Sequence, residues 1–222
     1  MPFNRWLNTV TLKWIMALSG LFLVGFVIAH MLGNLQIFLG RDAINEYARL
    51  LKSNAALLWG FRLALLAAAV LHVSAAIALI RINRAAAGSR YSVRDPLSAS
   101  IASRTMALSG IVLLAFIVYH ILHFTVMAFH PEYHALDSQG RHDVYGMMVA
   151  GFSQPLIASF YILSMALLAL HLSHGIGSIF RTVGFASKRI FIIGSAIGYM
   201  VAAVLFLGFV SVPVSVWIGW VK

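Results

Sequence analysis

The sequence predicts an all-α integral membrane protein with five transmembrane helices, and three observations carry that prediction. Of its 222 residues 61% are hydrophobic and only 10% charged, and the mean hydropathy of +0.91 is far above that of a soluble globular domain. Apolar stretches run over about residues 14–38, 57–80, 103–129, 155–180 and 190–217. At ~1.5 Å per residue each is long enough to cross a hydrocarbon core of ~30 Å. All six acidic residues (Asp42, Glu46, Asp95, Glu132, Asp137 and Asp143) fall between those stretches. The chain reads as one transmembrane domain over residues 1–222, and its tails and connections are too short for a soluble catalytic domain.

The first stretch, about 25 residues long, exceeds the ~7–15-residue core of a signal peptide, and no small-residue cleavage pattern follows it. It reads as a retained first helix. The second stretch ends at Arg81, Arg84, Arg90 and Arg94, and the third starts beside Arg104; the fourth ends at Arg181, and Lys188 and Arg189 open the fifth. With Arg5 and Lys13 of the N-terminal tail these are ten cations on one side of the membrane. The other side carries six: Arg41, Arg49, Lys52, Arg62, Arg141 and Lys222. The positive-inside rule then expects a cytoplasmic N-terminus and an external C-terminus. Trp6 and Trp14 at one face, and Trp59, Trp217 and Trp220 near the other, suit interfacial aromatic belts. The net charge of +10 thus marks sidedness rather than nucleic-acid binding.

Two absences narrow the chemistry. Acid-free spans exclude an intramembrane carboxylate relay like those of ion pumps and many transporters. A cysteine count of zero excludes disulfides, thiolate metal sites, iron–sulfur clusters and covalently attached haem c in this chain. Histidine is the strong transition-metal ligand that remains. His30, His72, His120, His123, His171 and His174 lie within four of the five helices.

An internal repeat sorts them. Met16-Ala17-Leu18-Ser19-Gly20 followed by His30 recurs as Met106-Ala107-Leu108-Ser109-Gly110 followed by His120, at an offset of 90. Leu71-His72-Val73-Ser74 with Ile77 recurs as Leu170-His171-Leu172-Ser173 with Ile176, at an offset of 99. Depth agrees with the repeat. His30 and His120 lie ~24 Å from the cytoplasmic face, whereas His72 and His171, on helices running the other way, lie ~12–15 Å from it. Four histidines on four helices, two at each of two depths, match two stacked haem b groups in a four-helix bundle with a fifth helix beside it. His30 and His120 would bind the outer iron, His72 and His171 the inner one.

Ser19-Gly20 and Ser109-Gly110 fall at the depth of the inner pair and are candidates for the small surface a porphyrin packs on. Ser74 and Ser173 are equally readable as bonding back to their own helices. Propionate candidates are Lys13, Arg104 and Arg181 for the inner haem and Arg62 for the outer, ordinary snorkelling being the alternative for each. His123 and His174, one turn beyond a ligand, are candidates for supporting or quinone-pocket roles, with polar packing as the alternative. The loop bearing His130, Glu132, His134, His142 and Asp143 has no helical spacing that would gather a metal site and reads as an interfacial polar loop. A second haem near the outer face would be superfluous if a quinone reacted beside the inner one. An outer quinone pocket with Asn34, Gln36 and His123 is therefore expected, the competing placement being an inner one near Lys13 and Ser19.

These residues reach a known family. Phe26-Val27-Ile28-Ala29-His30-Met31 with Asn34, Leu71-His72 before a basic connection, Tyr119-His120, and Leu170-His171-Leu172-Ser173-His174-Gly175 ahead of Arg181 resemble the cytochrome b membrane anchor of bacterial succinate dehydrogenase and fumarate reductase. The likeness is to the two-haem, single-anchor kind of these succinate:quinone oxidoreductases, and it runs from Trp14 to the fifth helix. It implies the same ligand pairing, an iron–sulfur subunit and a flavoprotein subunit on the cytoplasmic side with FAD and the clusters in those partners, a quinone substrate that is often menaquinone, and a place in the respiratory chain. It also implies no dicarboxylate site and no catalytic side chain in this chain. His174 stands where some relatives have Asn or Gly. No carboxylate stands in a haem-bearing helix as it does in some relatives, so a carboxylate-based proton path is not carried over. The haem b subunit of another modular complex, such as a formate dehydrogenase or hydrogenase, is the alternative within redox proteins; a haem-free transporter or structural anchor is the alternative outside them.

Overall fold

In the computed structural model, which describes residues 8–86, 101–182 and 187–222, seven α-helices follow one another, five of them long and apolar enough to cross a membrane. Arg5, Trp6, Arg90, Arg94 and Asp95 lie outside the described residues, as do the side chains of Arg104 and Lys188. Helix α1 (Thr9–Asn34) starts at Asn8, whose side-chain oxygen accepts the Thr11 N–H at 2.8 Å and so satisfies one of the donors a helix start leaves open. A 3-10 turn, Leu35–Leu39, then leads to Gly40 at φ +101°, a conformation closed to most side chains, and the chain turns into α2 (Arg41–Lys52). Helix α3 (Ala55–Ala86) returns along α1.

The second half repeats this plan. Helix α4 (Ile101–His120) rises, the short α5 (Val144–Phe152) lies at its outer end, and α6 (Pro155–Thr182) returns against α4. The chain is thus two hairpins, α1–α2–α3 and α4–α5–α6, with α2 touching α5. The long helices run the same way in both halves, so the hairpins are related by an axis along the membrane normal, the parallel-repeat arrangement of some membrane proteins. Helix α7 (Lys188–Trp217) packs closely on α6 and also meets α1. A Cβ at Gly198 would lie 2.7 Å from the Ser173 carbonyl oxygen, so glycine is what lets α7 approach that near. The two hairpins meet where α1 contacts α6 and where α2 contacts α5, and α7 packs against both α6 and α1.

Many large apolar side chains on the long helices face outward, among them Leu21, Leu63, Leu66, Leu108, Ile111, Leu163 and Leu207. With five such helices this makes the protein a multi-pass membrane protein in contact with lipid. Trp14 lies toward one end, and the exposed Trp59, Trp217 and Trp220 toward the other.

Three segments depart from the sequence reading. The connections at 41–52 and 144–152 are helices rather than plain loops. They are amphipathic or short elements at the outer end, which a search for spanning hydropathy does not register. The third span also stops short of residue 129. After His120 the chain widens into a π-turn, Ile121–Thr125, closed by Val126 N–H bonding to the Ile121 carbonyl at 2.8 Å, and Met127 takes φ +55°. The wide turn changes the register of His123 and Phe124, and the left-handed Met127 ends the helix.

The end of the bundle that carries α2 and α5 is sealed by a polar network. Asn45 is wholly buried; its Nδ2 donates to Asp137 (3.0 Å) and Asp143 (3.1 Å), and its Oδ1 accepts from Tyr145 N–H (3.0 Å). Arg141 pairs with Asp137 (2.7 Å) and Asp42 (2.7 Å), and Arg41 with Asp143. Burial works against ionising Asp137, but hydrogen bonds from Arg141 and Asn45 overcome it and hold that carboxyl well below the ordinary range. For Asp143 burial is likewise outweighed, by Asn45, the Gly146 N–H and Arg41. Because both folded values are depressed, their stabilisation is complete above the unfolded carboxylate pKa of ~3.9 and is lost as pH falls below it. Asn45→Ala is expected to cost about 2 kcal/mol, since it removes one donor from each of two carboxylates and leaves the Tyr145 N–H without its acceptor; thermal unfolding in detergent measures this. Hydrogen-exchange protection over residues 131–152, corrected for the pH dependence of intrinsic exchange, is expected to fall as pH drops from about 4 toward 2, and unchanged protection at pH 2 would count against the network.

Candidate functional site

Within each hairpin, a serine near the start of the rising helix meets a histidine on the returning one. In the first hairpin His72 Nδ1 lies 3.2 Å from the Met16 carbonyl oxygen and 3.3 Å from Ser19 Oγ. A carbonyl only accepts, and the Ser19 hydroxyl proton is donated to the Ile15 carbonyl at 2.6 Å. The proton shared with Met16 therefore sits on His72 Nδ1, and Nε2 carries the lone pair. In the second hairpin Ser109 Oγ donates to the Met106 carbonyl (3.1 Å) and lies 3.1 Å from His171 Nδ1. Its own proton spent, Ser109 accepts from Nδ1–H, and His171 also presents Nε2 as a lone pair. Gly20 and Gly110 flank these rings: a Cβ at Gly20 would stand 3.1 Å from His72 Cε1, and one at Gly110 3.6 Å from His171 Cε1. The candidate small residues thus touch the imidazoles of their own hairpin.

Between hairpins the rings face each other. The His72 and His171 centroids are 6.4 Å apart, and those of His30 and His120 are 5.7 Å apart. Two imidazoles on opposite sides of one metal ion, at ~2 Å per metal–nitrogen bond, hold their centroids ~6 Å apart. Among the described residues no group of three or more His, Asp or Glu side chains gathers to hold an ion. Each pair supplies two nitrogen donors, a set that suits a metal whose other ligands come from a macrocycle. The residues present fit haem on two counts: ring spacing and the tautomers of the inner pair.

The outer pair is built differently. Phe26 stacks on His30 (5.3 Å) and its repeat counterpart Phe116 on His120 (5.9 Å). Tyr161 OH lies 3.3 Å from His120 Nδ1 and 3.0 Å from His123 Nδ1. His123 is wholly buried, and its Nε2 has no hydrogen-bond partner. Around it stand Phe124, Tyr119, His130 and Tyr133, and His130 in turn bonds Glu132 at 3.0 Å.

The remaining candidates scatter. Arg62 lies over the Trp59 ring (5.0 Å) and Arg181 over the Phe191 ring (4.0 Å), while Lys13 is exposed; the side chain of Arg104 lies outside the described residues. Asn34 Nδ2 donates to the His30 carbonyl (2.9 Å), tying the end of α1, and Gln36 is half-buried in the turn that follows. The His174 carbonyl accepts from Ser178, and Ser173 bonds back to the Leu170 carbonyl. His142 Nε2 bonds the Tyr133 carbonyl. Reading the sequence missed Tyr161 and the two stacked phenylalanines. Phe26 and Phe116 share the offset of 90 and were available in the repeat, whereas the repeat counterpart of Tyr161 at the offset of 99 is Arg62, so no pattern pointed to it.

Compared with protein-family models, curated proteins and solved structures, the chain matches none of them.

The glycine contacts make a stability prediction. In a helix Ala is favoured over Gly by ~1 kcal/mol. Gly110→Ala, meeting only ordinary contact, is expected to keep that gain, whereas Gly20→Ala must displace His72 and should lose it. Paired melting curves of the two variants check the difference, and equal shifts would contradict the close approach.

Proposed function

We propose that this chain is a di-haem cytochrome b membrane anchor, carrying electrons between a membrane quinone such as menaquinone and the iron–sulfur and flavoprotein subunits of a succinate dehydrogenase or fumarate reductase in a bacterial inner membrane. The observation that carries the haem reading is the facing of two histidine pairs across one seam, with Nδ1 of the inner pair engaged and Nε2 left as the donor. The choice of complex rests on the sequence resemblance. A haem iron held by two imidazoles exchanges one electron at a time. The chain's own part is to hold His30 and His120 at one level and His72 and His171 at the other. Lys13, Arg62, Arg104 and Arg181 are the cations assigned to the propionates, and a cytoplasmic N-terminus puts the basic connections toward the soluble partners. For the quinone, Asn34, Gln36 and His123 are the outer-end candidates; His123 Nε2, buried without a partner, supports a polar ligand on that side.

Spectra of the purified chain test this reading. Two haem b per chain are expected in the reduced-minus-oxidised spectrum, and a chain with no haem b overturns the assignment. Alanine at His30 or His120 should remove one spectral component, and alanine at His72 or His171 the other, because each iron loses half its axial ligation. Loss of the same component from His30→Ala and His72→Ala would refute the pairing. His123→Ala and His174→Ala are expected to keep both haems. Purifying the native complex with its co-eluting subunits, flavin and quinone identifies the partners, and a partner without flavin would point to a different modular complex. Normal quinone turnover in a His120 variant that assembles without the outer haem would refute the outer quinone site.

A further inference from the structure

We propose that Tyr161 is the positioning residue of the outer histidine pair, its hydroxyl accepting the Nδ1–H of His120 while donating its own proton to Nδ1 of His123. This rests on the haem reading above. The hydroxyl stands between two imidazole nitrogens, 3.3 Å from His120 and 3.0 Å from His123, and it has one proton and two lone pairs. Donation to His120 would put that ring's proton on Nε2 and close the nitrogen needed for a metal. Accepting from both rings would leave the hydroxyl proton and the His123 Nε2 lone pair both unpaired. The remaining polarity pairs every atom of the cluster except His123 Nε2–H, and His123 Nε2 is the buried nitrogen found without a partner. Its shorter contact, to His123, is also the one in which the hydroxyl donates.

The hydroxyl is held where it must be. Tyr161 is buried, with Phe116 (5.1 Å), Phe152 (5.2 Å) and Phe124 (5.6 Å) around its ring. The π-turn at Ile121–Thr125 and the left-handed Met127 bracket His123 on the other side. A widened turn and a non-glycine residue at positive φ are both costly and persist where the surroundings impose them. No such clamp stands at the repeat-equivalent position, where Arg62 lies over Trp59 instead. The outer site is therefore asymmetric between its two ligands.

A hydrogen bond accepted from Nδ1–H makes an axial imidazole more electron-rich and favours the oxidised iron. Tyr161→Phe keeps the ring and its packing and removes only this bond. In the full chain it should retain two haems and raise the midpoint potential of the component that His120→Ala abolishes, leaving the other component unmoved. His123→Leu removes the acceptor of the Tyr161 proton and should raise the same potential by less. The electron paramagnetic resonance signal of the outer haem should change in both variants. Retained haems with both potentials unchanged in Tyr161→Phe, or equal shifts of both haems, would overturn the clamp alone. Should Tyr161→Phe fail to assemble, an unmoved potential in His123→Leu would overturn it. A wild-type chain without haem b would remove the reading beneath it and the clamp together.

Discussion

An imidazole carried into hydrocarbon must find a protein partner for its N–H, because there is no water there to supply one. Everything in this bundle's interior follows from how that demand is met. Each clamp is made inside one hairpin: Met16 and Ser19 hold His72 across α1 and α3, Ser109 holds His171 across α4 and α6, and Tyr161 reaches His120 across α6 and α4. The ring-to-ring approaches run between hairpins instead. His72, His171 and His120 are thus each oriented by groups of their own hairpin, whereas His30 has the Phe26 ring stacked on it. The seam between hairpins is left for what the two sets of imidazoles share.

The serines do this only because their hydroxyl protons are already spent. A serine in mid-helix commonly bonds back to a carbonyl three or four residues earlier, which by itself slightly weakens the helix. Here that bond has a second effect, since it turns the serine oxygen into a pure acceptor toward imidazole. Such a residue is therefore more than a small filler: at the inner level it determines which nitrogen of the neighbouring ring is free.

Much of the membrane fold was legible because lipid imposes a long apolar period that no other environment requires, and the five spanning helices were read to within a few residues at most of their ends. The histidine pairs were legible for a different reason. Duplication wrote each hairpin twice, so the same offset that relates His30 to His120 also relates Ser19 to Ser109. What duplication did not write was invisible. Helices α2 and α5 lie at the outer end, where neither hydropathy nor the repeat marks them. Asn45 looks like any polar loop residue until Asp137, Asp143 and Tyr145, some ninety to a hundred residues away, close on it. The end of the third span depends on a π-turn that no composition signals.

The divergence of the two halves is concentrated at one end. At the inner level the clamps are near copies: a Ser hydroxyl and a Gly face the histidine in both hairpins, although the Met16 carbonyl also meets His72 and Gly20 stands closer than Gly110. At the outer level Phe26 and Phe116 keep the repeat, but Tyr161, His123, His130 and the π-turn all belong to the second hairpin alone. Packing cannot account for that bias, because an apolar residue in place of His123 would avoid a buried imidazole with an unpaired nitrogen, which costs roughly 1–3 kcal/mol. At the inner level Nδ1 of both histidines is engaged within its hairpin, whereas at the outer level the second hairpin alone buries a further imidazole, His123, whose Nε2 has no partner.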